Sequence, residues 1–291
     1  MKFSACITTR NRTLELENCL LALWQSTVLP FSVIVSDDSV EELVQQETRK
    51  VVDRYPGTIY VLGPQNGVCG NRNNAVKTAD GADIVAFVDD DINVEPDFIQ
   101  VAIETYESLD PACRDKRILS GFSVDQYGQK MKPAKLSFRG YFTSGENIKS
   151  DSLETVAIHA SIFPRSFFDH EMWDENIYFG YEDGELCLRA LKGGYRIIFE
   201  PRLKVFNACY QQGVLGSPQE NTLSNYEICI EAARLYVGIK RYKDIFPDLL
   251  KLIAFLFIYF SHMTIYLLRR QSISSFSEIV QRSQWQTLFV S

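Results

Sequence analysis

The sequence lacks several patterns that mark common classes of protein. Its seven cysteines stand at irregular spacing with no C-x-x-C pair, which argues against a disulfide framework or a zinc site and favours reduced cytosolic thiols. Neither a G-x-G-x-x-G motif nor a P-loop is present, so a dinucleotide site is not indicated. No internal repeat is found. No signal peptide is expected either, because Arg10 interrupts the first short apolar run.

A basic surface is also missing from most of the chain. The formal net charge of −7 argues against a nucleic-acid-binding protein, which usually carries a basic face. Residues 240–291 hold seven Lys or Arg against three acids, a balance of +4, which leaves −11 for residues 1–239. We therefore expect the two parts to face different partners.

Strands and helices alternate through the first hundred residues. Amphipathic helices are predicted from about Thr13 and over residues 40–55. The predicted strands are "FSACITT" (3–9), "FSVIVSDD" (31–38), "TIYVLGP" (58–64) and "DIVAFVDD" (83–90). This alternation implies right-handed crossovers and a parallel sheet covered on both faces. In such sheets the ligand lies at the carboxyl ends of the strands.

Carboxylates stand at the ends of two of these strands. Asp37 and Asp38 end the second strand, and Asp89, Asp90 and Asp91 end the fourth. Carboxylates this close repel each other unless a cation or water screens them. A solvated acidic turn is the simpler interpretation. Convergence on one sheet edge favours a divalent cation, Mn²⁺ or Mg²⁺, that binds carboxylate and phosphate oxygens together.

Five segments, in this order, resemble the family-2 glycosyltransferases with the GT-A fold. They are "CITTRNR", "VIVSDDS", "NGVCGNRNNAV", "AFVDDD" and "GYEDGELCLRALKGGYRI". The resemblance covers about residues 3–205. It implies an α/β fold with a Rossmann-like, mostly parallel sheet flanked by helices. It also implies a metal-dependent, inverting transferase that moves a sugar from a nucleotide-sugar donor to a hydroxyl.

The resemblance and the charge balance divide the chain at residue 239. Residues 1–239 are expected to form the GT-A domain, with a nucleotide-sugar half over about 1–115 and an acceptor half over about 116–239. Residues 240–291 are expected to form a helical, basic and hydrophobic C-terminal tail.

The resemblance assigns the donor site to the ends of the first strands and to the "NGVCGNRNNAV" turn. Asp89 and Asp91 match the D-x-D motif, which holds the ribose and the metal. Asp38 matches the acid that binds the base, and a carboxylate there accepts the N3–H of uracil or thymine, which indicates a UDP- or dTDP-sugar. A solvated strand end is the competing interpretation. The matched nucleotide-sugar residues are Thr8, Arg10, Asp37, Asp38, Gly67, Arg72, Asn73, Asp89 and Asp90.

The third protein ligand of the metal departs from the family pattern. Many relatives place a histidine after the last strand, where this sequence has Asn207 in "LKVFNACYQQG". An amide oxygen binds metal more weakly, so Asn207 is a weaker ligand candidate than Asp89 and Asp91. The polar segment 209–226 that follows is either a loop that closes over the donor or an inert surface loop.

Glu182 and Asp183 begin a predicted amphipathic helix and match the family's E-D motif. Inverting transfer needs a base that takes the proton of the acceptor hydroxyl, and Asp183 is our candidate. Glu182 either orients this base or replaces it. Acids in a first helical turn also serve simply as partners of the helix dipole.

Aromatic residues lie just before this motif. Trp173 and Tyr181 form either a platform for an acceptor sugar or part of the core. His159, in the predicted strand "TVAIHASIF", either contacts the acceptor or is a packed histidine.

The tail contains the apolar segment 249–270. Its uninterrupted apolar run, 252–260, is about half of the roughly 20 residues that a membrane span needs. A helical wheel leaves a wide apolar face, opposite a side formed by Lys251, Tyr259, His262, Tyr266 and Arg269. We expect a helix in the interface of an anionic membrane, which implies a peripheral location at its cytoplasmic face, a saccharide or lipid-linked acceptor and a role in cell-surface polysaccharide synthesis. A homodimer interface and a packed core helix are the alternatives.

Two other functions use similar features. A sugar nucleotidyltransferase would share the sheet and the acids, but it should carry a Gly-rich loop after the first strand, and "TTRNRT" has no glycine. A non-catalytic nucleotide-sugar-binding protein would keep Asp38 and the acidic triplet but would not need Asp183.

Overall fold

The computed structural model describes residues 1–143, 152–207 and 223–289. The helices are α1 (Thr13–Trp24), α2 (Glu42–Val52), α3 (Val68–Thr78), α4 (Phe98–Ser108), α5 (Glu182–Lys192), α6 (Asn225–Lys240), α7 (Leu249–Arg269) and α8 (Ser275–Arg282). The strands are β1 (Phe3–Thr9), β2 (Ser32–Asp37), β3 (Thr58–Leu62), β4 (Ile84–Asp89), β5 (Ile92–Val94), β6 (Arg117–Asp125), β7 (Lys130–Met131), β8 (Lys135–Leu136), β9 (Phe142–Thr143), β10 (Ser161–Pro164) and β11 (Arg196–Asn207). The predicted strands and helices of the first hundred residues are confirmed to within a few residues at their ends.

Within the described residues, nine strands form one mixed sheet in the order β3-β2-β1-β4-β10-β6-β11-β5, with β7 paired to β6. The four strands β3, β2, β1 and β4 are parallel, as predicted. The second half is mixed, because β10 is antiparallel to β4 and to β6, while β11 is parallel to β6. The parallel arrangement therefore belongs to the nucleotide-sugar half of the chain.

Both faces of β1, β2 and β4 are buried, which explains why these strands are almost continuously apolar. On β1, Phe3, Ala5 and Ile7 enter the core beneath α1 and α4. Cys6 enters the opposite core, which also contains residues of α3 and α5. Because helices cover both faces, the carboxyl ends of the strands are left as the place where polar side chains meet.

The C-terminal helices pack on the domain. Ile228 and Leu235 of α6 share a core with Phe255, Met263 and Leu267 of α7. A capping box between Ser224 and Glu227 fixes the start of α6. The tail predicted for residues 240–291 is helical, and α6 joins it to the transferase part.

Candidate active site

The ends of β1, β2 and β4 meet at one edge of the sheet, as the sequence predicted. Thr9 is the register partner of Asp37 on β2, and Thr8 is the partner of Asp89 on β4. The side chain of Thr8 is half-buried and that of Arg10 is exposed. The acids of the second and fourth strands therefore lie on either side of the end of β1.

The side chain of Arg12 separates two carboxylates of the acidic triplet. Its Nη1 lies 2.8 Å from Asp90 Oδ1, and its Nη2 lies 2.9 Å from Asp91 Oδ2. Thr9 donates a further hydrogen bond of 2.7 Å to Asp90. Burial raises the pKa of Asp90 to about 7, although Arg12 and Thr9 act in the opposite direction. Asp90 is predicted to bind the donor, and in the structure its buried carboxyl contacts Thr9 and Arg12.

Asp89 lies at the open edge of the site, with 30% of its side chain exposed. Arg72 Nη2 is 3.2 Å from Asp89 Oδ1, and His159 Nδ1 is 3.4 Å from Asp89 Oδ2. Burial opposes ionisation, but Arg72 and His159 lower the pKa of Asp89 below its ordinary value. His159 precedes β10 in a short 3-10 turn, Ile158–Ala160, rather than lying on the predicted strand. Asp89 is thus held as a carboxylate between two nitrogen groups.

Arg72 connects the donor acids to the E-D motif. Its side chain is buried, with Nη1 lying 3.0 Å from Glu182 Oε1 while Nη2 contacts Asp89. The guanidinium also lies over the ring of Trp173, 4.8 Å from its centroid. Burial disfavours the charge, but Asp89 and Glu182 raise the pKa of Arg72 above its usual value. Arg72 is therefore a buried cation shared by two acids from different halves of the chain.

Trp173 and Asn73, which are predicted to contact the acceptor and the donor, are both buried in the structure. The Trp173 side chain is only 2% exposed and packs edge-on against Phe87 at 5.1 Å, so it offers no open face to a sugar. Asn73 Oδ1 accepts the backbone N–H of Trp173 at 2.9 Å. The Asn73 amide donates to the carbonyl of Trp173 and to Glu175. Both residues support Arg72 from beneath the site.

The two acids after β2 have different environments. Asp37, predicted to contact the donor, is fully buried and accepts hydrogen bonds from Ser39 N–H at 2.9 Å and from the Tyr60 hydroxyl at 3.1 Å. Asp38 Oδ1 accepts the backbone N–H of Gln65 at 3.0 Å. Burial raises the pKa of Asp38, and the Gln65 hydrogen bond and Arg10 lower it. Across the part of the chain that the structure describes, Asp38 Oδ2 has no hydrogen-bond donor.

Gly67 precedes α3 with φ of 100°, a conformation that favours glycine. A Cβ at this position would lie 3.4 Å from the ring of Tyr178. Gly67 therefore allows the segment before the E-D motif to approach the start of α3, which carries Arg72 one turn later.

Glu182 and Asp183 occupy the first turn of α5. Asp183 is half-buried, and its Oδ1 accepts the backbone N–H of Gly184 at 2.7 Å. Burial and the neighbouring charge of Glu182 raise the pKa of Asp183 well above that of an ordinary aspartate. Among the residues that the structure describes, Glu182 Oε2 is buried without a hydrogen-bond partner, while its Oε1 pairs with Arg72. The two acids are therefore unequal, since within this part of the chain a cation binds Glu182 and none binds Asp183.

Tyr181 connects this turn to the C-terminal helices. It is buried, has φ of 61°, and stacks on Phe142 at 4.7 Å between ring centroids. The ring face toward Phe142 is covered, so a sugar platform on that face is excluded.

Asn207 ends β11 opposite Ile92, the residue that follows Asp91. Among the described residues, no group of three His, Cys, Asp or Glu side chains is arranged to hold a metal ion. The oxygen ligands that the sequence predicts for a metal are the carboxylates of Asp89 and Asp91 and the amide of Asn207. Residues 209–222 of the polar segment lie outside the described residues.

Sequence reasoning missed Thr9, and it expected Arg12 at this edge of the sheet without assigning it a partner. The second arginine of "TTRNR" was an available signal, because a cation at the end of β1 faces the acids of β4. No pattern in the sequence distinguishes Asp90, which is buried, from Asp89 and Asp91.

Comparisons with known proteins identify a family that this chain resembles. The family described as Glycosyl transferase family 2 matches residues 4–171. YwdF of Bacillus subtilis, described as an uncharacterized glycosyltransferase, is 26% identical over 213 residues, which are 73% of this chain and 76% of YwdF.

Solved structures show the same fold. TarS 1–349 of S. aureus in complex with UDP-GlcNAc matches with a TM-score of 0.59 and 17% identity, over 97% of this chain and 82% of that one. GalNAc-T7 with UDP, GalNAc and Mn²⁺ matches with a TM-score of 0.60 and 14% identity, over 89% and 55%. A second structure of S. aureus TarS, with a longer chain, matches with a TM-score of 0.56 and 16% identity. The match covers 88% of this chain and 43% of that one. These likenesses confirm the predicted GT-A fold.

The family match covers more than half of the chain and includes the acids at the ends of β2 and β4. The match therefore favours a glycosyltransferase over the two alternative functions, a sugar nucleotidyltransferase and a non-catalytic nucleotide-sugar-binding protein. The chain therefore belongs to glycosyltransferase family 2 and is a glycosyltransferase.

Proposed function

We propose that this enzyme transfers a sugar, with inversion, from a UDP- or dTDP-sugar to a hydroxyl of a saccharide acceptor, with Asp183 as the general base. The observation that carries the proposal is the inequality of the two E-D acids. Asp183 has a raised pKa and no cation bound to it, while Arg72 holds Glu182. A base with a pKa near the operating pH takes a proton most effectively.

In this mechanism Asp183 accepts the proton of the acceptor hydroxyl as its oxygen attacks the anomeric carbon. The carbon–oxygen bond to the diphosphate breaks on the opposite face, and the configuration inverts. Glu182 acts as a positioning residue, because its charge raises the pKa of Asp183. Arg72 keeps Glu182 in place and prevents it from competing for the proton.

The donor is proposed to bind between Asp38 and the acids of β4. Asp38 Oδ2 suits the N3–H of uracil or thymine, since its other oxygen is already used by Gln65. TarS has been solved with UDP and with UDP-GlcNAc, and GalNAc-T7 with UDP. These ligands belong to relatives, and they support a uridine nucleotide here.

A divalent cation, Mn²⁺ or Mg²⁺, is proposed to be held by Asp89 and Asp91, with Asn207 as a further oxygen donor. These residues suit a divalent cation, because all three offer hard oxygen ligands. Asp89 and Asp91 are also only partly buried. GalNAc-T7 has been solved with Mn²⁺. When bound, the cation would neutralise charge on the leaving diphosphate.

Removal of the Asp91 carboxylate should weaken metal binding. For Asp91→Ala we expect at least tenfold weaker binding of Mn²⁺ alone in calorimetry, because one anionic ligand is lost. Binding of UDP should fall in the presence of Mn²⁺ and change little in its absence. Asp53→Ala, an exposed acid after α2, serves as the matched control. Unchanged Mn²⁺ affinity in Asp91→Ala would contradict the assignment.

The charge of Glu182 should set the pH dependence of turnover. Activity requires the Asp183 carboxylate, so kcat should fall as the pH drops through its raised pKa, well above the ordinary aspartate value of about 3.9. Glu182→Gln removes the charge that raises this pKa, and the acidic limb of the kcat profile should move to lower pH. An acidic limb at the same pH in both proteins would show that another group titrates.

A further inference from the structure

Helix α7 turns the hydroxyls of two tyrosines toward the protein. The hydroxyl of Tyr259 donates to the carbonyl of Glu231 at 2.8 Å, and that of Tyr266 donates to Glu227 at 3.2 Å. Phe255, Met263 and Leu267 complete the inner surface and are fully buried. The tyrosines that a helical wheel groups with the lysine and the arginine are therefore used for docking on α6.

The opposite side of α7 is uncovered and mostly apolar, and Ser261 and Thr264 are its exposed polar residues. Leu250, Phe257 and Leu268 fall on one helical stripe and are 80%, 73% and 61% exposed. Ile253 and Ile265, on either side of the stripe, are also more than half exposed. These five residues are called the outer face of α7. Large apolar side chains exposed together on one side of a helix mark a surface for a nonpolar partner.

The helix has the length and composition of a membrane span but is held along one side. It has 21 residues, and an 18-residue segment of it has a mean hydropathy of 1.6 and is 22% buried. Contacts with α6 occur near its middle, at Tyr259, and near its end, where Arg270 lies 3.1 Å from Glu227. A helix fixed in this way presents one face and lies parallel to a surface.

Charge favours a lipid surface as the partner. Lys251 and Arg269 lie at opposite ends of α7, and both are exposed beside the outer face. Residues 240–291 carry +4, whereas residues 1–239 carry −11. Other cations of the tail pair with acids of residues 1–239, as Lys240 does with Asp174 and Arg241 with Glu154. The cations beside the outer face are therefore the ones that an anionic surface can reach. An apolar face with flanking cations is the pattern of a helix that lies in the membrane interface.

We propose that the outer face of α7 docks on an anionic lipid bilayer. The contacts extend from α7 toward the catalytic turn. His262 Nδ1 is 3.4 Å from the hydroxyl of Tyr141, and the next residue, Phe142, stacks on Tyr181 at the start of α5. If Asp183 is the base, as proposed above, docking brings the acceptor side of the enzyme to the bilayer, where a lipid-linked saccharide is presented.

Sedimentation of the full chain with vesicles tests the apolar part of this proposal. With vesicles of phosphatidylcholine and phosphatidylglycerol, Leu250→Ser with Phe257→Ser should reduce partitioning by roughly tenfold or more, because two large side chains no longer enter the lipid. Leu14→Ser with Leu43→Ser is the matched control, since these leucines are 70% and 72% exposed elsewhere. The control should bind vesicles like the parent.

Removal of the two cations beside the outer face tests the electrostatic part of the proposal. Lys251→Gln with Arg269→Gln should weaken binding to the anionic vesicles by about fivefold for each cation. Binding to phosphatidylcholine alone should be weaker for the parent and insensitive to this change. Lys50→Gln with Lys77→Gln, two exposed cations of the acidic part, should have little effect.

Two results would overturn the proposal. One is a parent protein that stays in the supernatant with anionic vesicles at low salt. The other is a stable dimer in light scattering that dissociates in Leu250→Ser with Phe257→Ser, which would assign the outer face to a second copy of the chain. Donor hydrolysis, measured without vesicles, should be equal in all variants, so a failure of docking is distinguishable from a failure of the proposed chemistry.

Discussion

Asp183→Asn should lower kcat by about a hundredfold or more, the scale expected when a general base is lost. The amide keeps the shape of the side chain, and its oxygen still accepts the N–H of Gly184, so α5 should remain intact. Donor affinity should change little, because Asp183 is not among the acids proposed to hold the nucleotide or the metal. Single-turnover kinetics and calorimetry with UDP and Mn²⁺ separate the two quantities.

The outcome also decides between the two acids of the motif. Asp53→Asn, a substitution of an exposed acid, should leave kcat unchanged. If Glu182→Gln were the more damaging change at every pH and Asp183→Asn were mild, the roles of the two acids would be exchanged. A large loss of donor affinity with normal kcat at saturation would instead place Asp183 in the donor site.

The parallel half of the sheet was predictable because its signal is local. Strands β1, β2, β3 and β4 are short apolar runs bounded by polar turns. Each strand can therefore be recognised from its own residues. The second half was less predictable. The antiparallel strand β10 has only four residues, and the apolar run that precedes it contains a 3-10 turn. That turn places His159 beside Asp89, which no periodicity could indicate.

The position of the site followed from one rule, that ligands lie at the carboxyl ends of strands in a parallel sheet. The ion pairs within the site could not be predicted from this rule, because the paired residues are distant in sequence. Arg72 pairs with Glu182 across 110 positions, and Arg12 pairs with Asp91 across 79. A motif shows which residue types are present, but it does not show which acid is neutralised and which is left to react.

Amphipathicity was informative for the tail but left its orientation open. The wheel separates a polar side from an apolar face, and in water the polar side would normally face outward. In α7 the hydroxyls of Tyr259 and Tyr266 are used by α6. The sequence of α7 alone cannot show which way these hydroxyls point, since that depends on hydrogen-bond acceptors of another helix.

Arg72→Met should reduce the free energy of unfolding by about 3–5 kcal/mol, the usual cost of removing one partner from a buried ion pair. Methionine keeps much of the volume over Trp173, so the loss reports charge rather than a cavity. Asp89 and Glu182 would remain as partly buried carboxylates without their shared cation. Urea unfolding at pH 7 measures the change, and donor affinity should fall with it, because Asp89 loses its fixed position.

The pH dependence of this loss identifies its cause. In the parent, Arg72 helps to lower the pKa of Asp89, which stabilises the fold above the unfolded value of about 3.9 and ceases to do so as the pH falls through the lowered value. Without Arg72, burial should raise the pKa of Asp89, so that protonation at pH 5 relieves part of the penalty. The difference between parent and variant should therefore be smaller at pH 5 than at pH 7.

A double variant and a surface control complete the test. Arg72→Met with Glu182→Gln should recover part of the stability, since one of the two uncompensated carboxylates is removed with the cation. Arg54→Met breaks the exposed pair with Glu17, whose atoms are 2.7 Å apart, and should cost no more than about 1 kcal/mol. A loss for Arg72→Met as small as that of Arg54→Met, or one that is equal at pH 5 and pH 7, would mean that Arg72 is not the cation that holds the two halves of the site together.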